Sequence, residues 1–178
     1  MKKIIIMLAI LPQIVCAQNN HFVPDDFAVP DTLENEHFRI RMLTVNDVVK
    51  DYDAVMSSID HLKKMYPSSN WPSKDLTREQ DLIDLGWHQK EFQMRSSFTY
   101  TVVELDESKV IGCIYIFPTN KGDYNAEITM WVRSSVLKEG LDSVLFNTVK
   151  HWIIKEWPFD KIAYPGRVIT WKEWELLK

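Results

Sequence analysis

Cysteine is scarce in this 178-residue chain: only Cys16 and Cys113 are present. Cys16 falls in an apolar N-terminal stretch that reads as removable. Cys113 is then left alone, which excludes an intramolecular disulfide framework. A lone cysteine in a strand is more often a small buried hydrophobe than a nucleophile. Clusters of basic residues are also missing, and the formal net charge is −4. Both facts argue against nucleic acid or an anionic membrane as a general partner. No serine–histidine or cysteine–histidine pair stands in a recognisable local motif, and there is no internal repeat or low-complexity segment. What remains is 46% hydrophobic and 26% charged, the composition of an ordinary globular protein of about one domain.

The N-terminus differs in kind. Lys2-Lys3 make a basic start, Ile4 to Val15 is an apolar core interrupted by Pro12, and Val15-Cys16-Ala17 places small residues before Gln18. This is the pattern of a secretory signal peptide, too short to span a bilayer permanently. Residues 1–17 are therefore expected to be removed, leaving an exported chain with no membrane segment. The alternative is a chance apolar start on a cytoplasmic protein. Val15 stands where a lipoprotein needs a small residue, so lipidation of Cys16 ranks below simple cleavage. Residues 18–36, with Pro24, Pro30 and several acids, read as an extended linker.

From residue 37 the pattern becomes regular. Phe38 to Met42 alternates as a strand. Thr44, with Asp47 three residues on, predicts an N-cap for a helix over Val45–Ser57. A short helix follows over Ile59–Met65, and Thr77 caps a longer one over Arg78–Arg95. The apolar positions of that helix cover more than half its circumference, which predicts burial on more than one side. Phe98–Leu105 and Val110–Phe117 are strands joined by the hairpin loop Asp106-Glu107-Ser108-Lys109. Ala126–Val132 alternates as another strand. A loop from Arg133 to Gly140 then leads into an amphipathic helix over Leu141–Glu156. Lys161–Tyr164 is a short last strand, and residues 167–178 form a tail able to pack as one amphipathic turn. The order β-α-α-β-β-β-α-β is an α+β pattern, not a doubly wound one.

A strand entering a helix N-terminus through a short loop can gather backbone N–H groups on an anion. This order, over roughly residues 37–166, resembles the GNAT family of N-acetyltransferases, with a mixed, mostly antiparallel sheet flanked by helices. The resemblance implies that the strand Ala126–Val132 splays from Lys161–Tyr164 and that acetyl-coenzyme A lies in the gap. Backbone amides at Met130 and Val132 would bind the thioester arm, and the loop would wrap the diphosphate, with Gly140 supplying a small residue and Arg133 and Lys138 supplying charge. The chain departs from the family at Leu137, where Arg or Gln is expected, and at Asp142, where Gly or Ala is expected. A carboxylate beside a diphosphate repels it. The chain also ends soon after the last strand, where family members continue.

The chemistry implied is acyl transfer to a small-molecule or peptide amine. Glu127, on the face of its strand opposite Ala126 and Ile128, is the candidate general base; its alternative is a solvated strand residue. Tyr164 is the nearest candidate acid; its alternative is a core aromatic. Asp81, Asp84, His88 and Glu91 form a polar stripe on the Arg78–Arg95 helix. It reads as a solvated face, with Asp81 and Asp84 as amine ligands in the second reading and a metal site in the third. The rival to an enzyme is an exported binding protein on the same scaffold. The export signal favours that rival, because acyl-coenzyme A is a cytosolic donor.

Overall fold

Six strands pair in the order in which the chain makes them. In the computed structural model, which describes residues 22–178, β1 (Thr32–Glu34), β2 (Arg39–Met42), β3 (Phe98–Val103), β4 (Val110–Pro118) and β5 (Ala126–Val132) are successively antiparallel. β6 (Ile162–Ala163) lies parallel to β5 after the crossover helix α4 (Leu141–Glu156). The α+β, GNAT-like architecture read from the sequence is the observed one. The signal peptide and Cys16 lie outside the described residues. Among the described residues no helix is long and apolar enough to cross a membrane.

Side-chain alternation gives the sheet two apolar faces. Ile128, Met130, Ile114 and Tyr100 face α4, where Leu145, Val149 and Trp152 complete one core. Cys113, Trp131 and Val103 face the other way, onto Ala54 and Val55 of α1 (Val48–Met56), Leu62 of α2 (Ile59–Met65) and Leu85 of α3 (Arg78–Gln93). Cys113 is fully buried, as its strand position predicts. Thr44 caps the chain as expected, its N–H donating to Asp47 Oδ2 at 2.9 Å, but Val45–Asp47 is a 3₁₀ turn and α1 starts only at Val48.

Two expectations need correction. Residues 22–36, read as linker, belong to the folded body. Leu33 pairs with Ile40, Val23 is buried, and the Phe22 ring stacks on Phe159 at 4.8 Å. The cause is a distant partner that a local reading misses. Arg95 donates to the carbonyls of Pro24 and Phe27 at 2.7 and 2.8 Å, and Tyr100 Oη donates to Pro30 O at 2.7 Å. The second correction concerns α3, which is not buried all round: Ile83, Trp87 and Met94 are exposed. Leu85 and Phe92 enter the core, and Asp81 and His88 share their face at helical spacing, so Asp81 is buried and His88 partly so while Asp84 stays exposed.

Asp81 is therefore buried and not a solvated or amine-binding residue. Burial, and then repulsion from Asp84, pushes its carboxyl up to about 6. Burial and the charge of Asp81 raise the carboxyl of Asp51 on α1 as well. A carboxyl raised on folding binds its proton more tightly in the native state. Stability therefore falls as pH rises from the unfolded value near 3.8 through about 6, and stays low above that. Asp81→Asn is expected to raise Tm at pH 8 and to leave it nearly unchanged at pH 4. Equal shifts at both pH values in thermal unfolding would show that Asp81 is not a strained carboxylate.

Candidate active site

The site grows from one property of β5: only its first two residues have a neighbour on the β6 side. Ala126 pairs with Ile162 and Glu127 with Ala163, after which the strands part. The Arg133 N–H bonds to Ile111 O on β4 at 2.9 Å. Ladder directions alternate along a strand, so Ile128, Met130 and Val132 turn their backbone groups toward the gap. The edge expected at Met130 and Val132 is thus presented, and it is already engaged. Met130 O accepts from Arg167 at 3.3 Å. A cavity of about 330 Å³ opens there, walled by His61, Tyr66, Thr129, Met130, Asp142 and Arg167.

The loop before α4 is not an open amide cradle. Ser134–Glu139 winds into a 3₁₀ helix. The N–H groups of Ser134, Val136, Gly140 and Val144 already donate to Ser58 Oγ and to the carbonyls of Arg133, Leu137 and Gly140. Arg133 is corrected as a phosphate ligand. Its guanidinium is buried across the sheet, bonding Asp53 and Ser57 at 2.9 Å each. Lys138 is exposed on the turn and does not line the cavity. Gly140 has a φ of +75°, a left-handed conformation that favours glycine, and a Cβ there would meet no atom of the chain within 4 Å. Asp142 holds Arg167 through two bonds of 2.5 and 2.6 Å. The edge of β5 at Met130 is thus occupied by Arg167, and Asp142, the carboxylate paired with it, stands in the first turn of α4.

On the α1–α3 face two further cavities adjoin through Tyr66. One, of about 390 Å³, is lined by Trp71, Tyr115 and Phe117 with Asp84, His88 and Thr129; the other, of about 350 Å³, holds Glu127 with Lys121, Trp171 and Trp174. Glu127 is half-buried, and desolvation raises its pKa against the pull of Lys121 and Trp174. Asp84 reaches the aromatic cavity; Asp81 does not. His88 Nδ1 lies 3.1 Å from Thr99 Oγ1, and burial lowers its pKa, which favours the neutral ring. Tyr164 is corrected as the acid. It lies outside all three cavities, its ring edge-on to Phe146 at 5.6 Å, and burial pushes its hydroxyl up to about 12. Tyr66, which borders all three cavities, is the tyrosine the sequence hid, because it stands in an unpatterned loop just before Pro67. Among the described residues no group of three or more His, Cys, Asp or Glu could hold a metal ion.

No protein-family model matches the sequence, and no curated protein does. Solved structures do. The ribosomal-protein-S5-alanine acetyltransferase from Vibrio fischeri superposes with a TM-score of 0.60 at 19% identity, over 76% of this chain and 73% of that one. The fold is that of the GNAT acetyltransferases. The microcin C7 self-immunity acetyltransferase MccE, in complex with acetyl-CoA and AMP, gives 0.59 at 10% identity, over 76% and 73%. RimL, a ribosomal L7/L12 α-N-protein acetyltransferase in complex with coenzyme A, gives 0.53 at 14%, over 68% and 67%. At these identities the likeness is one of fold. The chain is a divergent bearer of the GNAT scaffold.

Proposed function

We propose that this GNAT-fold protein is an N-acyltransferase that passes an acyl group from acyl-coenzyme A to a cationic amine. The observation that carries the reading is the opening of β5 on both sides. Its free edge borders the gap to β6, and Glu127 and Thr129 of the same strand border the cavities on the α1–α3 face. Acyl-coenzyme A, when bound, supplies the acyl group as an activated thioester. The chain's own residues handle the acceptor. Trp71, Tyr115 and Phe117 offer ring faces to an organic cation, and Asp84 offers the counter-charge. Glu127, made more basic by desolvation, takes the proton that an ammonium must lose before it can attack.

A second reading, an amine-binding protein without catalysis, is favoured by the Arg167–Asp142 pair across the donor gap. Thiol release from acetyl-coenzyme A, measured against a series of arylalkyl amines at pH 8, separates the two. Amine-dependent release is expected. Release at the protein-free rate with every amine, alongside amine binding seen by tryptophan fluorescence, would establish the second reading.

A further inference from the structure

The C-terminal segment crosses both openings of the site. Tyr164 O accepts the N–H groups of Arg167, Val168 and Ile169 at 3.2, 3.0 and 3.3 Å, and the Gly166 N–H returns to Ile169 O at 2.7 Å. This knot aims Arg167 into the gap. α5 (Trp171–Leu176) then runs over the α1–α3 face, capped by Thr170 and Glu173. Its polar anchors are Trp171 Nε1 donating to Met65 O at 2.7 Å, Ser68 Oγ to Glu175 Oε1 at 2.5 Å, and the Gly122 N–H to Lys178 O at 2.6 Å. The Trp171 and Trp174 rings each lie 5.9 Å from a tyrosine ring, Tyr66 and Tyr124. The one deep anchor is Trp174, which is buried beneath the Lys121 ammonium, 5.0 Å from its ring centre.

We propose that residues 165–178 form a latch on the β5–β6 gap, closed by the Arg167–Asp142 ion pair and opened by an anionic donor that takes Arg167 from Asp142. The donor's identity rests on the acyl-transfer reading; the latch itself does not. The Arg167 guanidinium is held by both Asp142 oxygens, by Met130 O on the free edge of β5, and over the Phe146 ring at 5.5 Å. It therefore occupies the strand edge along which a thioester arm would run. The pair is not sealed, because the two side chains keep 16% and 28% of their surface exposed on the cavity wall. A guanidinium fork binds phosphate oxygens in the same bidentate geometry as a carboxylate. A diphosphate arriving at the start of α4 thus offers Arg167 an equivalent partner with more charge. Its departure frees the Met130 edge.

Two variants test this. Asp142→Asn is expected to speed amide hydrogen exchange across residues 166–177 and to tighten acetyl-coenzyme A in calorimetry by about tenfold, since it removes both the competitor and the repulsion. Arg167→Gln is expected to loosen the same amides without tightening the ligand, since the donor's cationic partner is gone. Unchanged exchange in both variants would overturn the latch. Faster exchange with acetyl-coenzyme A bound no better by Asp142→Asn than by the native chain would overturn its gating role. Should acetyl-coenzyme A give no heat with any chain, inorganic pyrophosphate decides. Tighter binding to Asp142→Asn keeps the latch and removes the acyl-transfer reading; equal binding overturns both.

Discussion

Glu127→Gln is expected to cut amine-dependent turnover by roughly two to four orders of magnitude, the usual contribution of a positioned general base. Tm should move by no more than about 2 °C, because the side chain is half-exposed in a cavity and the amide keeps its size. The pH profile gives a sharper signature. Glu127 acts as a base only when ionised, and desolvation raises its pKa above 4.5. Turnover should therefore climb with pH through that raised value in the native chain, and this limb should vanish in the variant. Lys121 opposes the shift, so Lys121→Met should carry the limb to higher pH while leaving it visible. A native-like profile in Glu127→Gln would reassign proton transfer to His88. That ring borders the adjoining cavity, and burial favours its neutral form.

The elements were legible because their signals are local. β5 spans Ala126–Val132 and α4 spans Leu141–Glu156, as their periodicity predicts, and Thr77 does cap α3. The faces of α3 were not. Ile83, Trp87 and Met94 look like core on hydropathy alone, whereas the direction the helix presents is decided by Leu85 and Phe92 meeting the sheet. The site was half-visible for the same reason. The face of Glu127 follows from one strand's alternation, and the Met130 edge from the family resemblance. Arg167 carries no motif and lies 25 residues from Asp142 in the chain, so that pairing exists only once β6 has returned beside β5. The departure at Asp142 was readable as a missing small residue; that the chain itself neutralises it was not.

Gly112→Ala is expected to be the most destabilising single methyl added to this fold, and it tests how firmly β5 is held. Gly112 pairs with Val102 on one side and Val132 on the other. A Cβ there would lie 2.2 Å from Trp131 O and 3.2 Å from Val132 Cα, both backbone atoms. No rotamer relieves such a contact, so β4 and β5 must separate. Overpacking costs typically about 1–3 kcal/mol; at the upper end, with roughly 2–4 °C per kcal/mol for a chain of this size, Tm should drop by about 6–12 °C. Gly140→Ala is the control. Its φ of +75° charges about 1–2 kcal/mol for the conformation, with nothing within 4 Å for the methyl to strike. If both variants melt at the same temperature, the close approach of β4 to β5 is wrong. If Gly112→Ala melts well below, the displaced strand is the one whose other edge carries Met130 and Val132. Acetyl-coenzyme A binding should then weaken in that variant even at temperatures where it remains folded, while Gly140→Ala binds as the native chain does.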